Sequence, residues 1–547
     1  MGATFLFVGW DGADWRIIRR LIEENALPNF ASLLKSGVGY QLKVPLPPTT
    51  FSSWTTIATG TNPARHGITD FSKLVFGAYR IRFLTSLDRA EPALWEYFDS
   101  LGARTCVLGF PATYPPDEIN GFFLSGFESP VAVSAGEKFA HPKEIYRELA
   151  KKLGPWLVGG VQEFRITSGW YSRALTHALM SVERKLNYAK ELAKDHGPFD
   201  AFMVWFGEAD TVSHHFWRFY DPSSPRFDSK GSSEFKNAIP LVYRRLDYAL
   251  GVLINELAPK NVVLVSDHGF GGAGVDVFHI NAWLKQRGLL NFRGGAGSWR
   301  FLKAVQRLAL RYTPAQLQEK IFRANPEFAE RVESRVRFGK LDFLRSRTFS
   351  EELNYAPSVR LNLSGREPEG IVKQTEVENL LSELIGNLES VESIDGARIV
   401  KKAWKKGELY NGPYLERMPE LIIEQAYPFG YSVNFLRSGH GSPALRKLDT
   451  SELAGAKGAG MNGTHRETGV FIISGPPMSQ LIQKEVADAK DVAPTSLAIF
   501  GRRSKRMEGE SIYTPAELTD LNCERRFGRK EADSAIAAKL KDMGYLS

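Results

Sequence analysis

Residues 4–14 read Thr4-Phe5-Leu6-Phe7-Val8-Gly9-Trp10-Asp11-Gly12-Ala13-Asp14. The first six are apolar, continuous and short, and the Asp-Gly pair that follows ends them with turn chemistry. Such a run reads as a strand covered on both faces, the kind found inside parallel sheets. Working outward, residues 104–110, 200–206 and 261–266 repeat the pattern. Residues 14–25 and 28–36 have helical spacing around Leu27-Pro28-Asn29, and 173–194 and 234–256 have the length and 3.6-residue period of crossover helices. Apolar strands alternating with helices predict an α/β fold, a mainly parallel sheet sandwiched by helices.

From about 275 to 455 the character changes. Polar and basic helical stretches (300–335) give way to short mixed segments such as 358–363, and strand-like apolar signals return at 469–475, followed by 491–500. The expected organisation is a discontinuous core (1–275 and 456–510), an inserted cap or substrate region (276–455) and a charged, helical tail (511–547).

Composition narrows the class. The 547 residues hold 43% hydrophobic and 24% charged residues, which excludes a disordered chain, a collagen-like fibre and a disulfide-stapled miniprotein. Cys106 and Cys523 are too few for a disulfide framework or a Cys-rich zinc site, and Cys106 reads as a packing residue. With no basic leader and no run of eighteen apolar residues, the expectation is a cytoplasmic protein without a transmembrane segment. The net charge of +8 is partly clustered at 400–406 and 502–506. These clusters read as solvated surface charge or as attraction for an anionic substrate, and no specific nucleic acid partner is expected.

In open α/β sheets, ligands bind beyond the carboxyl ends of strands. Asp11 follows the first apolar run, Asp210 and His214 follow 200–206, Asp267-His268-Gly269 follows 261–266, and His465 immediately precedes 469–473. Asp210 and His214 are four apart, so one helical turn puts both on one face. Asp267 and His268 would point to opposite faces of a continuing strand, so the chain must leave the strand near Gly269 to turn both towards one site. Any one of these residues taken alone reads as a turn former or a packed histidine; their recurrence at strand ends marks a site. Oxygen and nitrogen donors without thiolate suit Zn2+ or Mn2+. In the remaining segment, 47–71, residues 51–59 form a helix with Thr50 at or near the N-cap, where free N–H groups and the positive dipole end favour phosphate. A threonine hydroxyl is a poor nucleophile at neutral pH unless a metal favours its alkoxide.

Thr50-Phe51, Thr59-Gly60, Pro63 and His66-Gly67-Ile68, with the downstream Asp/His pairs, resemble the type I phosphodiesterase/nucleotide pyrophosphatase family of the alkaline phosphatase superfamily. Residues 360–372 resemble its prokaryotic members. The resemblance implies a two-zinc hydrolase with Thr50 as nucleophile. One zinc would be held by Asp210, His214 and His465, and the other by Asp11, Asp267 and His268 with Thr50. It implies hydrolysis of phosphodiesters, nucleotide-type or related, through a phosphothreonine intermediate, with a small anionic phosphate ester as substrate and the cap choosing the leaving group. The same site would also serve a phosphomonoesterase, or a phosphotransferase acting on a lipid or sugar phosphate. A non-catalytic protein binding nucleic acid or anionic membrane through the basic clusters is a third reading.

Two departures stand out. Phe71 occupies the position where well-known nucleotide pyrophosphatases carry a phosphate-contacting Asn, and Phe51-Ser52-Ser53 replaces Phe-Pro-Asn. The Cys/Ser-x-Pro-x-Arg context of sulfatases is absent. His215 and His440 compete as ligands on residue type; spacing favours His214, and the context before a strand favours His465.

Overall fold

The computed structural model describes residues 4–126, 136–157, 168–294, 326–453 and 460–525. At its centre is a nine-stranded sheet in the order Val486–Asp488, Gly37–Lys43, Thr468–Ser474, Asn261–Val265, Phe5–Trp10, Ala201–Phe206, Thr105–Leu108, Gly121–Leu124, Ala140–His141. Phe5–Trp10 runs parallel to both neighbours. Its apolar run is continuous because it feeds two cores: Leu6, Val8 and Trp10 enter one, Phe5 and Phe7 the other. The exceptions to parallel pairing are Thr468–Ser474, antiparallel to both strands beside it, and Ala140–His141 at the far edge.

Helices Trp170–His196 and Ala238–Leu257 bury apolar faces in the first core, and Leu94–Ser100, Val492–Ile499 and Thr50–Thr59 in the second. This is the helix-sandwiched, mainly parallel α/β sheet expected. Cys106 packs inside it, wholly buried. Details differ from the expectation. The helix expected from 234 begins at Ala238, because Asp228 caps a separate short helix, Ser229–Phe235, ahead of it. Strands Gly37–Lys43 and Gly121–Leu124 and helix Lys143–Leu153 were not anticipated. Among the described residues, no helix is long and apolar enough to cross a membrane.

A four-stranded sheet, Thr348–Phe349, Ser358–Leu361, Leu421–Gln425 and Val400–Lys405, lies within 276–455. It shares a third core with helix Val377–Glu389, and Leu74 and Ile81 from the hairpin Ser72–Leu74/Ile81–Phe83 join that core. Gly269–Phe278 runs across residue 275: its first half pairs with Gly463–Arg466, its second with Leu445–Lys447. Of 300–335, residues 326–335 belong to helix Pro326–Phe338, and the rest lies outside the described residues. Of the tail, 511–525 carries the short strand Thr519–Asp520 and no helix, and 526–547 lies outside.

The basic clusters are largely neutralised by neighbouring carboxylates. Lys401 meets Glu424 at 2.5 Å, Lys405 meets Glu378 at 2.6 Å and Lys406 meets Glu416 at 3.1 Å. Arg503 and Lys505 share Asp520, and Arg506 reaches Glu91 at 3.0 Å.

Candidate active site

Every chemistry-bearing segment leaves the same end of the sheet. Asp11 follows the central strand; Asp210 and His214 lie on helix Glu208–Tyr220, which begins two residues after Ala201–Phe206; Asp267 and His268 lie between Asn261–Val265 and Gly269–Phe278. His465 comes from Gly463–Arg466, paired across from Phe270. Asp210 Oδ1 stands 3.1 Å from His214 Nε2 and 3.3 Å from His465 Nε2, and those two nitrogens are 3.1 Å apart. His268 Nε2 lies 3.5 Å from Asp11 Oδ1, 3.3 Å from Asp267 Oδ2 and 4.0 Å from Asp210 Oδ1. Among the described residues, two groups have donor atoms close enough for one ion each: Asp210, His214 and His465, and Asp11, Asp210 and His268. Asp210 belongs to both.

The surroundings fix these side chains. His214 Nδ1 donates to Gly463 O at 2.9 Å, His268 Nδ1 to Gly269 O at 3.0 Å and His465 Nδ1 to Pro48 O at 2.7 Å. A carbonyl only accepts, so each Nδ1 carries the proton and each Nε2 presents a lone pair to the centre, the arrangement typical of metal-bound histidines. Asp11 Oδ2 accepts from the indoles of Trp54 (2.8 Å) and Trp205 (3.2 Å), and Asp267 Oδ1 from Gly12 N at 3.2 Å. The opposite oxygens, Asp11 Oδ1 and Asp267 Oδ2, together with Asp210 Oδ1 and His268 Nε2, are buried without a hydrogen-bond partner. Inward lone pairs without protons between them repel one another unless a cation lies among them. The donor set therefore fits divalent metal.

Electrostatics agree. Burial, with the charge of Asp210 nearby, pushes the Asp11 carboxyl well up; burial, with Asp11 and Asp210, does the same to Asp267. Burial also pushes Asp210 up, but when His214 and His465 beside it carry a second proton they outweigh it and hold that carboxyl well below its usual range. Burial drives His268 and His465 down, towards the neutral form a metal requires.

Thr50 is the first residue of helix Thr50–Thr59, and Thr49 is its N-cap without a side-chain hydrogen bond to the first turn. The helix is tied to the cluster on two sides: Pro48 holds His465, and Trp54, one turn on from Thr50, holds Asp11. Phe71 packs on Phe51, ring centroids 4.5 Å apart. The competing histidines lie elsewhere: His215 packs edge-on against Trp170, and His440 lies near Phe292. His66 is buried against Thr56 Oγ1 at 2.9 Å. Residue types and spacing gave no signal for Tyr355, which precedes strand Ser358–Leu361 and stacks on His465 at 4.7 Å.

A mainly parallel sheet with donor side chains gathered at one end of its strands is the build of alkaline phosphatase-like hydrolases. The model of the type I phosphodiesterase / nucleotide pyrophosphatase family matches residues 5–433, and the chain belongs to that family. Its members are metal-dependent phosphoester hydrolases, and this chain is such a hydrolase. Phosphonoacetate hydrolase from Sinorhizobium meliloti 1021, in complex with phosphonoformate, is similar in fold: TM-score 0.54 at 14% identity, covering 91% of this chain and 95% of that one. Its complex with phosphonoacetate gives a TM-score of 0.51 at the same identity and coverage. Murine ectonucleotide pyrophosphatase / phosphodiesterase 5 in complex with AMP gives 0.47 at 13% identity, covering 97% and 99%. No curated protein matches significantly in sequence.

Proposed function

We propose that this chain hydrolyses phosphodiesters through a phosphothreonine intermediate on Thr50, with two divalent cations, Zn2+ or Mn2+, held by Asp11, Asp210, His214, Asp267, His268 and His465. The observation that carries the reading is the set of three histidines, each anchored through Nδ1, turning unprotonated Nε2 atoms onto buried carboxylate oxygens that lack partners. Asp210, common to both donor groups, would be shared between the two cations. When bound, the cations supply Lewis acidity to the reacting oxygens and favour the Thr50 alkoxide. Thr50 Oγ1 attacks phosphorus in line, the bond to the leaving alcohol breaks, and water then cleaves the phosphothreonine and restores the hydroxyl. The N-terminal turn of Thr50–Thr59, to which Thr49 makes no side-chain hydrogen bond, would receive a non-bridging phosphate oxygen, a role left to it because Phe71 offers no polar group. The family's substrates favour a nucleotide-type diester or a related one. The sparse cysteine usage fits a cytoplasmic setting.

The test pairs elemental analysis of the purified protein with rates on bis-p-nitrophenyl phosphate and p-nitrophenyl phosphate. Two metal equivalents and faster cleavage of the diester support the reading. Faster cleavage of the monoester transfers the site to a phosphomonoesterase or phosphotransferase, and absence of metal refutes it.

A further inference from the structure

Lys185 is 0% exposed, in the middle of helix Trp170–His196. Its ammonium lies 2.8 Å from Glu208 Oε1, which also accepts from Ser181 Oγ. The same ammonium sits over the Trp205 ring, 4.5 Å from the centroid. Both neighbours belong to elements that carry the site. Trp205 donates its indole N–H to Asp11 Oδ2. Glu208 opens helix Glu208–Tyr220, two residues ahead of Asp210. One buried cation thus touches one of the two indoles that aim Asp11 and the turn that presents Asp210, whose carboxylates share a donor group with His268. A fully buried ion pair is an expensive way to stabilise a fold, because desolvation offsets most of the attraction and packed apolar side chains of similar volume do as well or better. The cation–π contact with Trp205 adds direction that an apolar replacement lacks.

We propose that Lys185 and Glu208 are positioning residues for the metal centre: the pair locks the Trp205 indole and the first turn of Glu208–Tyr220, and so fixes the Asp11 and Asp210 carboxylates at the spacing that shared metal binding needs. The inference rests on the metal-site reading above. Neither residue touches the reacting atoms, and their effect is read first in metal binding.

The experiment compares wild type with the double variant Lys185→Met/Glu208→Leu, which removes both charges together so that neither is left buried and unpaired. Zn2+ affinity is measured by competition with a chromophoric chelator, and unfolding of the metal-free proteins is followed in parallel. The expected result is a metal-free melting temperature close to wild type with Zn2+ affinity at least tenfold weaker. Wild-type affinity in a folded double variant overturns the proposal. Where the double variant fails to fold, Trp205→Phe decides: it keeps an aromatic face for the ammonium but loses the N–H to Asp11. The same tenfold weakening supports the route through the indole, and unchanged affinity overturns it. Failure of wild type itself to bind Zn2+ refutes the metal-site reading instead.

Discussion

At the scale of single residues, Thr50 and Asp210 make separable predictions. Thr50 begins a helix anchored from both sides, so Thr50→Ala removes a hydroxyl without disturbing the packing of Trp54 or the Pro48 carbonyl. Turnover is expected to fall by about a thousandfold or more, with metal content and melting temperature near wild type. Rate assays beside elemental analysis check this, and substantial residual turnover removes Thr50 as nucleophile. Asp210 stands in both donor groups, His214 in one. Asp210→Asn is therefore expected to lower the bound metal to well under one equivalent, whereas His214→Ala loses one equivalent and keeps the other. Equal stoichiometry in the two variants argues against a bridging Asp210.

At the scale of elements, the glycine-rich ribbon of Gly269–Phe278 and Gly463–Arg466 aims His268 and His465. A Cβ on Gly463 would meet Ser213 O at 2.4 Å, and the Gly463 carbonyl is what holds His214 Nδ1. Gly463→Ala is expected to cost about 1–3 kcal/mol of stability and to weaken metal binding together with it, as read from denaturant melts and a chelator titration. This ribbon also marks where the sequence stopped being legible. Phe5–Trp10, Ala201–Phe206 and Asn261–Val265 were readable because strands feeding two cores must be apolar throughout. Gly269-Phe270-Gly271-Gly272-Ala273-Gly274 has neither period nor bulk; it forms a strand in which close backbone approach excludes side chains, as at Gly269, where a Cβ would meet Thr468 O at 2.3 Å. The same holds for Gly37–Lys43, whose glycines interrupt its pattern. At the site, spacing placed Asp210 and His214 on one helical face, and they share one. The Nδ1 anchors were invisible because they are backbone carbonyls brought up by distant segments, and Asp210 standing in both groups depends on tertiary placement that no spacing encodes.

At the scale of the whole molecule, the donor cluster closes a loop through segments from residue 11 to residue 465, so metal and fold stability are linked. Two opposing pH dependences follow. His66, buried, is pushed down to about 3 from an ordinary value near 6.5. The unfolded chain therefore binds more protons, and this contribution is complete above about pH 6.5 and is lost as the pH falls towards 3, with an upper bound of about 5 kcal/mol. His268 and His465, also pushed down by burial, act in the same direction. Asp11 and Asp267 are pushed up by burial and by neighbouring carboxylates, so in the metal-free protein their contribution is present in acid and is lost as rising pH forces them to ionise. A bound cation reverses that second effect by compensating their charges, and it competes with protons on the histidines. The stabilisation by Zn2+ is therefore expected to be greater near pH 8 than near pH 5.5, reaching about 2.7 kcal/mol per site when free metal exceeds Kd a hundredfold. Melting curves with and without chelator at the two pH values measure it. A stabilisation independent of pH would mean that the buried carboxylates are not ligands.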